Sequence, residues 1–449
     1  MRRKIFHGIV MLAVLGLVFL GWAVWMSGIL HRSTPESKQV ARSVPSAAAV
    51  ATRKAWAEPQ FASVIARGEY LARVGDCVAC HTMRGGKPYA GGLATPTPFG
   101  LLYSPNITPD KQYGIGNWTE DEFWRAMHDG IAPGNKLLYP VFPFTYFTKV
   151  SRPDVDAIFA YLRSLPPAAQ PNHPNEMPFP YNQRSSLVFW RALFFRAGEF
   201  KPNPGKSPEW NRGAYLVEGL GHCGMCHSSF NALGATDKNA QLAGGLIPIQ
   251  RWYAPALNSG AEVGLGNWTN DELAQFLKTG VSVRGATYGP MSDVVFHSMQ
   301  YLSEPDLQAI ATYLRAQPAL VSPGDVQKIE VSPQLAAELA QQGRQIYVNH
   351  CAECHQLNGR GVGEQYPPLA GNPSIAMQPG TNAIRMVLLG GFQPGTKGNP
   401  RPYSMPPFGQ LLDDHDVAAV VSYIRQAWGN NAPAVSPAVV TRFRQVPVE

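Results

Sequence analysis

The 449-residue sequence is poor in charge, since Asp, Glu, Lys and Arg make up only 15% of it. Although the formal net charge is +7, the only cluster of basic residues is Arg2, Arg3 and Lys4 at the N-terminus. A nucleic-acid-binding surface needs such a cluster on the folded domain, so we exclude nucleic acid as a partner. The sequence also lacks the G-x-G-x-x-G and H-E-x-x-H motifs of dinucleotide-binding enzymes and zinc proteases. It therefore gives no sign of a catalytic constellation of its own.

Low-complexity sequence is also lacking. The 43 glycines and 40 prolines make loops plentiful, but they stay below the share that marks disorder. Aromatic residues form 10% of the chain, which indicates packed cores. At about 100–200 residues per domain, the length allows two to four domains.

The segment after the N-terminal cations has no formal charge from Ile5 to Leu30. A bilayer core needs about 20 apolar residues, whereas the apolar part of a secretory signal is about 7–15 residues long. We therefore predict that residues 1–31 are a retained transmembrane anchor rather than a removed signal, followed by a linker over residues 32–57. The leading cations stay in the cytoplasm, which places the rest of the chain on the periplasmic side of the inner membrane.

All six cysteines lie in three copies of one motif, C-x-x-C-H. The thiols are Cys77 and Cys80, Cys223 and Cys226, and Cys351 and Cys354, and the histidines are His81, His227 and His355. On a helical turn both thiols face one way, so they can bond one porphyrin while the imidazole binds its iron. A redox dithiol or half of a zinc site is the alternative for a single copy. Three copies without an unpaired cysteine, in an exported chain, predict three covalently bound haem c groups.

Each motif belongs to a longer repeat. The repeat begins with a short helical stretch that contains a glycine, Gly68, Gly213 or Gly343, and it ends with an amphipathic helix. We predict that the glycine lets these two helices approach closely. The repeats define domain I (58–170), a linker with an aromatic helix (171–205), domain II (206–325), domain III (335–430) and a tail (431–449).

A Tyr-x-Pro sequence follows each motif. Its proline carbonyls, those of Pro105, Pro255 and Pro368, are candidates to accept a hydrogen bond from the iron-binding histidine. These prolines could equally just shape a turn.

A haem used only for electron transfer usually has a second axial ligand, often Met. Met291, in a Gly-Pro-Met sequence, and Met405, in a Ser-Met-Pro-Pro sequence, are the predicted ligands of domains II and III. Domain I has Phe142 at the corresponding position, and a phenyl ring cannot bind iron.

Three interpretations of domain I stay open. Met177, which is followed by Pro178, could return from beyond the last helix of the domain, and it is our predicted ligand. Met127 or His128 could serve instead, although Met127 reads better as a core residue. The iron could also be five-coordinate and open to ligands.

The repeat resembles a class I cytochrome c domain, a small helical shell around one haem. Domains I and II also share a Gly-Asn-Trp-Thr motif, at residues 116–122 and 266–272. Three such domains resemble the triheme cytochrome c subunits of membrane-bound alcohol and aldehyde dehydrogenases of acetic acid bacteria. The similarity covers nearly all of the chain after about residue 58. It implies an all-α fold of three tandem class I cytochrome c domains after an N-terminal transmembrane helix.

The same resemblance implies an electron-transfer subunit that is not itself an enzyme. Electrons would pass from a catalytic dehydrogenase subunit, carrying pyrroloquinoline quinone, flavin or molybdenum, to ubiquinone or the respiratory chain at the cell membrane. Phe142 and the retained anchor look more like the cytochromes of molybdenum aldehyde dehydrogenases. Two alternatives stay open: a peroxidase-like haem enzyme with an open iron in domain I, and a multihaem relay without a dedicated dehydrogenase. The aromatic stretch 187–195 could bind the membrane or the partner, or pack between domains.

Overall fold

The computed structural model describes residues 57–260, 264–320, 331–377 and 380–446. The predicted anchor, residues 1–31, lies outside these residues. Among the described residues no helix has both the length and the apolar character needed to cross a membrane. The predicted fold class is corrected accordingly: the described residues contain the haem-motif domains and no helix that could span a membrane.

The described elements are mainly helical. The helices of domain I and the linker are α1 (Val64–Val74), α2 (Cys77–Cys80), α3 (Glu120–Asp129), α4 (Phe144–Phe147), α5 (Arg152–Ser164) and α6 (Leu187–Phe194). Those of domain II are α7 (Pro208–Tyr215), α8 (Asn270–Thr279), α9 (Pro290–His297) and α10 (Glu304–Arg315). Those of domain III and the tail are α11 (Pro333–His350), α12 (Ala352–His355), α13 (Pro373–Ala376), α14 (Thr381–Leu389), α15 (Asp414–Gln426) and α16 (Pro437–Arg444).

Short antiparallel strand pairs accompany the helices, which the all-α expectation did not include. The strands are β1 (Ala94–Thr97), β2 (Gly100–Tyr103), β3 (Ile131–Ala132), β4 (Lys136–Leu137), β5 (Gly245–Leu246), β6 (Tyr253–Ala254), β7 (Val281–Ser282), β8 (Gly285–Ala286), β9 (Gly391–Phe392) and β10 (Ser404–Met405). Each pairs with its neighbour in the chain to form a two-stranded sheet. The connections between helices are thus partly ordered by local hairpins.

The first and last helices of each domain cross at the predicted glycine. A Cβ on Gly68 would lie 1.9 Å from the carbonyl oxygen of Ala157, so only glycine fits there. The equivalent contacts, at 2.0 Å each, join Gly213 to Ala309 and Gly343 to Ala419. This backbone contact sets the position of the thiol-bearing turn, which begins directly after the first helix in each domain.

The distance along the chain from this glycine to the first thiol differs between domains: Cys77 is nine residues beyond Gly68 and Cys223 is ten beyond Gly213. The additional residue in domain II is absorbed by a π-helical turn over Leu216–Leu220. Such turns insert one residue into a helix and are frequent at functional sites. The π-helical turn thus accommodates a connection from glycine to thiol that is one residue longer in domain II than in domain I.

The shared Gly-Asn-Trp-Thr motif starts a helix in both domains that contain it. In domain II, Thr269 caps α8 by accepting a hydrogen bond from the backbone of Glu272, and the Glu272 side chain accepts one from the Thr269 backbone. Thr119 and Glu122 form the same reciprocal cap on α3. The motif is therefore explained by helix initiation.

Domains I and II share one apolar core, which includes Leu71 and Ile158 of domain I with Leu216 and Leu307 of domain II. Domain III has a second core, around Val420. The aromatic helix α6 packs on α4, with the ring centroid of Trp190 6.4 Å from that of Phe144. Its Leu187 is buried, while Val188, Phe189 and Leu193 are exposed by 56%, 75% and 62%.

Candidate haem-binding sites

The six thiols lie in pairs on single turns of helix. Cys77 and Cys80 bound the helical turn α2, and none of the six cysteines is in a disulfide. Burial raises the pKa of Cys77, Cys223 and Cys351 to about 12, so these thiols are protonated at neutral pH. A pair of thiols on one turn is the arrangement that thioether attachment to one porphyrin needs.

The histidine of each motif is held by a proline carbonyl. Nδ1 of His81 lies 2.7 Å from the carbonyl oxygen of Pro105, and Nδ1 of His227 lies 2.7 Å from that of Pro255. Because a carbonyl can only accept, Nδ1 must carry the proton, which leaves the Nε2 lone pair for a metal. Burial also lowers the pKa of both imidazoles, which favours the neutral form that binds iron.

Domain III departs from the predicted pattern by one residue. Nδ1 of His355 lies 3.0 Å from the carbonyl oxygen of Pro367, so the prediction of Pro368 was wrong. The Pro368 carbonyl instead accepts a hydrogen bond from Nδ2 of Asn372 at 2.9 Å. Tyr366 is followed by two prolines, and the Tyr-x-Pro pattern selects the second of them.

The connection from histidine to proline also differs in length between the domains. It spans 24 residues in domain I, 28 in domain II and 12 in domain III. The longer connections contain the strand pairs β1–β2 and β5–β6. Domain III therefore keeps the shortest form of this loop, whereas domains I and II add hairpins at the same point.

The predicted methionine ligands of domains II and III lie on ordered elements. Met291 is the second residue of α9 and contacts the core that domains I and II share. Met405 lies in β10, paired with Gly391, and contacts the core of domain III. Both side chains are half-buried. Whether they bind iron stays a prediction.

Domain I has different side chains in the region where domains II and III have their predicted methionine ligands. Phe142 is half-buried, with its ring centroid 5.4 Å from that of Phe147. Met127 is only 4% exposed and belongs to the core, as its helical pattern indicated. His128 stacks on Trp124 at 4.6 Å, and its Nδ1 lies 2.8 Å from Asp129.

Met177 does lie in a segment that returns to domain I. The backbones of Leu101 and Glu176 exchange two hydrogen bonds of 2.9 Å, which fix this segment beside β2. A Cβ on Gly100 would lie 2.9 Å from the Met177 sulfur. The sulfur is thus at the turn end of the β1–β2 hairpin, while Pro105 follows its other end. Its role as an iron ligand stays a prediction.

His222 and His350 each directly precede the first thiol of their motif, yet their surroundings differ. The ring of His222 lies 5.6 Å from that of Phe147, against domain I, whereas His350 is exposed at the end of α11. The backbone φ of His222 is positive, at 37°. Asp76, which directly precedes the domain I thiols, also has a positive φ, at 51°. The turn into each of these two motifs is thus left-handed, which its sequence did not reveal.

The donor set fits covalently bound haem. Each motif supplies two thiols and one imidazole with a fixed Nδ1 proton, while thioether ligation by Met291 and Met405 stays a prediction. Within the described ranges, no three His, Cys, Asp or Glu side chains come together as a metal site of their own.

Comparison with known proteins agrees with this donor set. The family model described as cytochrome c matches residues 65–166 and 340–428. The chain is 39% identical to the cytochrome c subunit of a quinone alcohol dehydrogenase from Gluconobacter oxydans, covering 88% of this chain and 85% of that protein. It is 42% identical to the gluconate 2-dehydrogenase cytochrome c subunit of Pantoea cypripedii (83% and 87%) and 35% identical to the fructose dehydrogenase cytochrome subunit of Gluconobacter japonicus (86% and 84%).

The resemblance inferred from the sequence is therefore confirmed. These relatives are cytochrome subunits, named for dehydrogenases whose catalysis lies on another subunit. This family relationship explains the geometry of the cysteines and histidines described above. The chain belongs to the cytochrome c family, among the haem c electron-transfer subunits of dehydrogenase complexes.

Proposed function

We propose that this chain is a triheme subunit that takes electrons from a separate catalytic dehydrogenase subunit and delivers them to ubiquinone or the respiratory chain. The observation that carries the proposal is the threefold occurrence of a thiol pair followed by an imidazole whose Nδ1 faces a proline carbonyl. A bound haem c supplies one-electron exchange at its iron. The protein's part is to attach, orient and shield it.

Different residues attach each haem and bind its iron. The thiols attach the porphyrin, and His81, His227 and His355 are the proximal ligands, each fixed in one tautomer by its proline carbonyl. Met291 and Met405 are the proposed sixth ligands of domains II and III, where a thioether raises the potential. Met177 is the proposed sixth ligand of domain I.

The partner and the location follow from the same proposal. The catalytic subunit would carry pyrroloquinoline quinone, flavin or molybdenum, and Phe142 in the place of a methionine favours the molybdenum class. Haem c attachment, in an exported chain, supports the periplasmic side of the inner membrane as the place of work. The exposed apolar face of α6, with Val188, Phe189 and Leu193, supports contact with the membrane or with the partner.

The test is purification of the native complex in mild detergent. We expect three equivalents of haem to remain on the denatured chain after extraction with acid acetone, and a dehydrogenase subunit to copurify. The purified complex should reduce a soluble ubiquinone analogue when its substrate is added. Fewer than three covalent haems would overturn the triheme assignment, and a cytochrome that purifies alone would favour the relay without a dedicated dehydrogenase.

Phe142 favours one second candidate, a haem in domain I that is open to small ligands and peroxidase-like chemistry. This site would bind carbon monoxide rapidly in the reduced protein. Three low-spin haems that do not react with carbon monoxide would eliminate this candidate.

A further inference from the structure

Two tyrosines cross the boundary between domains I and II in opposite directions. Tyr70 of domain I donates its hydroxyl to Asp306 of domain II, with an Oη–Oδ2 distance of 2.6 Å. Tyr215 of domain II donates to Asp154 of domain I at 2.5 Å. Each tyrosine follows its packing glycine by two residues, and each aspartate is the third residue of the last helix of its domain. The same contact is therefore made twice, which indicates a local two-fold relation between the domains.

Both carboxylates are buried, with exposures of 2% for Asp154 and 0% for Asp306. An arginine of the same domain also holds each of them. Nε of Arg67 lies 2.7 Å from Asp154, and Nε and Nη2 of Arg212 each lie 2.9 Å from an Asp306 oxygen. A buried carboxylate that loses a donor cannot replace it with water. The two tyrosine hydroxyls are therefore integral to the closed boundary.

The same boundary brings the two haem-binding motifs together. The thiol-bearing turn α2 of domain I packs against α9 of domain II, which carries Met291. In the reverse direction, His222, directly before the domain II thiols, lies against Phe147 of α4, and α4 begins two residues after Phe142. Phe142 and Met291 occupy equivalent positions. The contact is therefore reciprocal. In each domain, the helix at or just after the sixth-ligand position packs against the thiol-bearing turn of the other domain or the residue directly before it.

The approach at this boundary is close. A Cβ on Gly224, between the domain II thiols, would lie 2.9 Å from the hydroxyl of Tyr146. The hydroxyl of Ser298 donates to the carbonyl of Val74 at 3.2 Å. A Cβ on Gly75, just before the domain I motif, would lie 3.1 Å from a methyl carbon of Leu220, just before the domain II motif. Since the thiols mark the edges at which porphyrins would attach, the two haem-binding turns would present those edges to this boundary.

We propose that domains I and II form one rigid two-haem unit, in which Tyr70 and Tyr215 are positioning residues that hold the two thioether edges together for electron exchange between haem I and haem II. This inference rests on the proposed function in requiring a haem c at each motif. It adds to that function the pair of haems that exchange directly and the side chains that set their separation.

Domain III has different residues at the equivalent positions. Gln345 stands where domains I and II have the tyrosine, and Gln342 stands in place of the arginine. Nε2 of Gln342 donates to Asp416 at 2.9 Å, within domain III. Domain III also contains a suitable control, because its buried Tyr347 donates to the carbonyl of Gln356 at 2.6 Å without crossing a boundary.

The experiment uses the full triheme protein with Tyr70→Phe, Tyr215→Phe, both together, and Tyr347→Phe as the matched control. Each change keeps the ring and removes one hydrogen-bonded hydroxyl. Amide exchange at α1 and α7 should report an opening of the boundary that rises about tenfold per lost boundary hydroxyl, the factor equivalent to 1.4 kcal/mol. The magnetic interaction between ferric haems I and II, measured by electron paramagnetic resonance, should weaken. Electron redistribution between these haems after photoreduction should slow, most of all in the double variant.

Two results would overturn the proposal. One is an unchanged haem I–haem II interaction and exchange rate in the double variant despite increased opening, because the tyrosines would then be only structural. The other is the same loss in the Tyr347→Phe control. If the double variant does not fold, the same measurements on the two single variants test the proposal by the same criteria. A wild-type protein with fewer than three covalent haems would instead contradict the proposed function, so the two failures are distinguishable.

Discussion

Gly213 and Ala309 touch through their backbones: a Cβ on Gly213 would lie 2.0 Å from the Ala309 carbonyl oxygen. Neither backbone can move without displacing a helix. We therefore expect Gly213→Ala to lower the free energy of unfolding by about 1–3 kcal/mol through overpacking.

Urea unfolding of the haem-loaded protein measures this loss. Gly198→Ala is the matched control, because no atom lies within 4 Å of the position that its Cβ would take. The control should change stability by less than about 0.5 kcal/mol. Equal effects of the two substitutions would contradict the close helix crossing.

The proposed thioether ligands give a second prediction. Met291→Ala and Met405→Ala should each lower the midpoint potential of one haem or convert it to high spin, because a methionine ligand raises the potential. Spectroelectrochemical titration of the three haems measures this. Met299→Leu is the control, since it changes a buried core methionine that is not a ligand candidate, at a cost below about 1.5 kcal/mol, and should leave all three potentials unchanged. An unchanged spectrum and potential in either alanine variant would refute that ligand.

Domain I gives a third prediction, through Met177. If Met177 is the ligand, Met177→Ala should make haem I high-spin and open to carbon monoxide, while the wild-type haem stays closed to it. Stopped-flow mixing of the reduced protein with carbon monoxide distinguishes an iron that is bound by Met177 from an iron that is already open in the wild type. Rapid binding already in the wild type, with no further change in the variant, would exclude Met177 and favour the open-iron candidate.

The cap of α8 gives a fourth prediction, on pH. Burial acts to raise the pKa of Glu272, but the hydrogen bond from the Thr269 backbone and the ion pair with Arg284 at 3.1 Å outweigh it, so the pKa lies below its ordinary value of 4.5. A lowered folded-state pKa stabilises the protein above the unfolded-state pKa, and this stability is lost as the pH falls through the folded-state value.

Glu272→Gln should therefore be less stable than the wild type near neutral pH, and the difference should disappear in acid below the folded-state pKa of Glu272. Urea unfolding at a series of pH values measures both curves. Glu120→Gln, at an exposed position in the first turn of α3, is the control. A stability difference that is independent of pH would contradict the assigned interactions.

Sequence alone was sufficient for the parts of the sites that are local. The C-x-x-C-H motif places thiols and imidazole within one turn of helix, so its chemistry can be read without a fold. The packing glycines were also predicted, because one glycine recurs in the first helical stretch of each repeat and each repeat ends with an amphipathic helix. The predicted Pro368 failed where a local pattern was not enough: which of two adjacent carbonyls faces His355 depends on how a 12-residue loop closes.

By itself, then, the sequence determined that three similar helical units each present two thiols and a histidine, and that Phe142 breaks the pattern in the first. The contacts between the units, in contrast, depend on the tertiary structure. Tyr70 and Asp306 are 236 residues apart, and no periodicity in the chain connects them. Their contact exists because domains I and II bury a common core, which brings side chains from distant segments together and fixes how the two thiol-bearing turns meet.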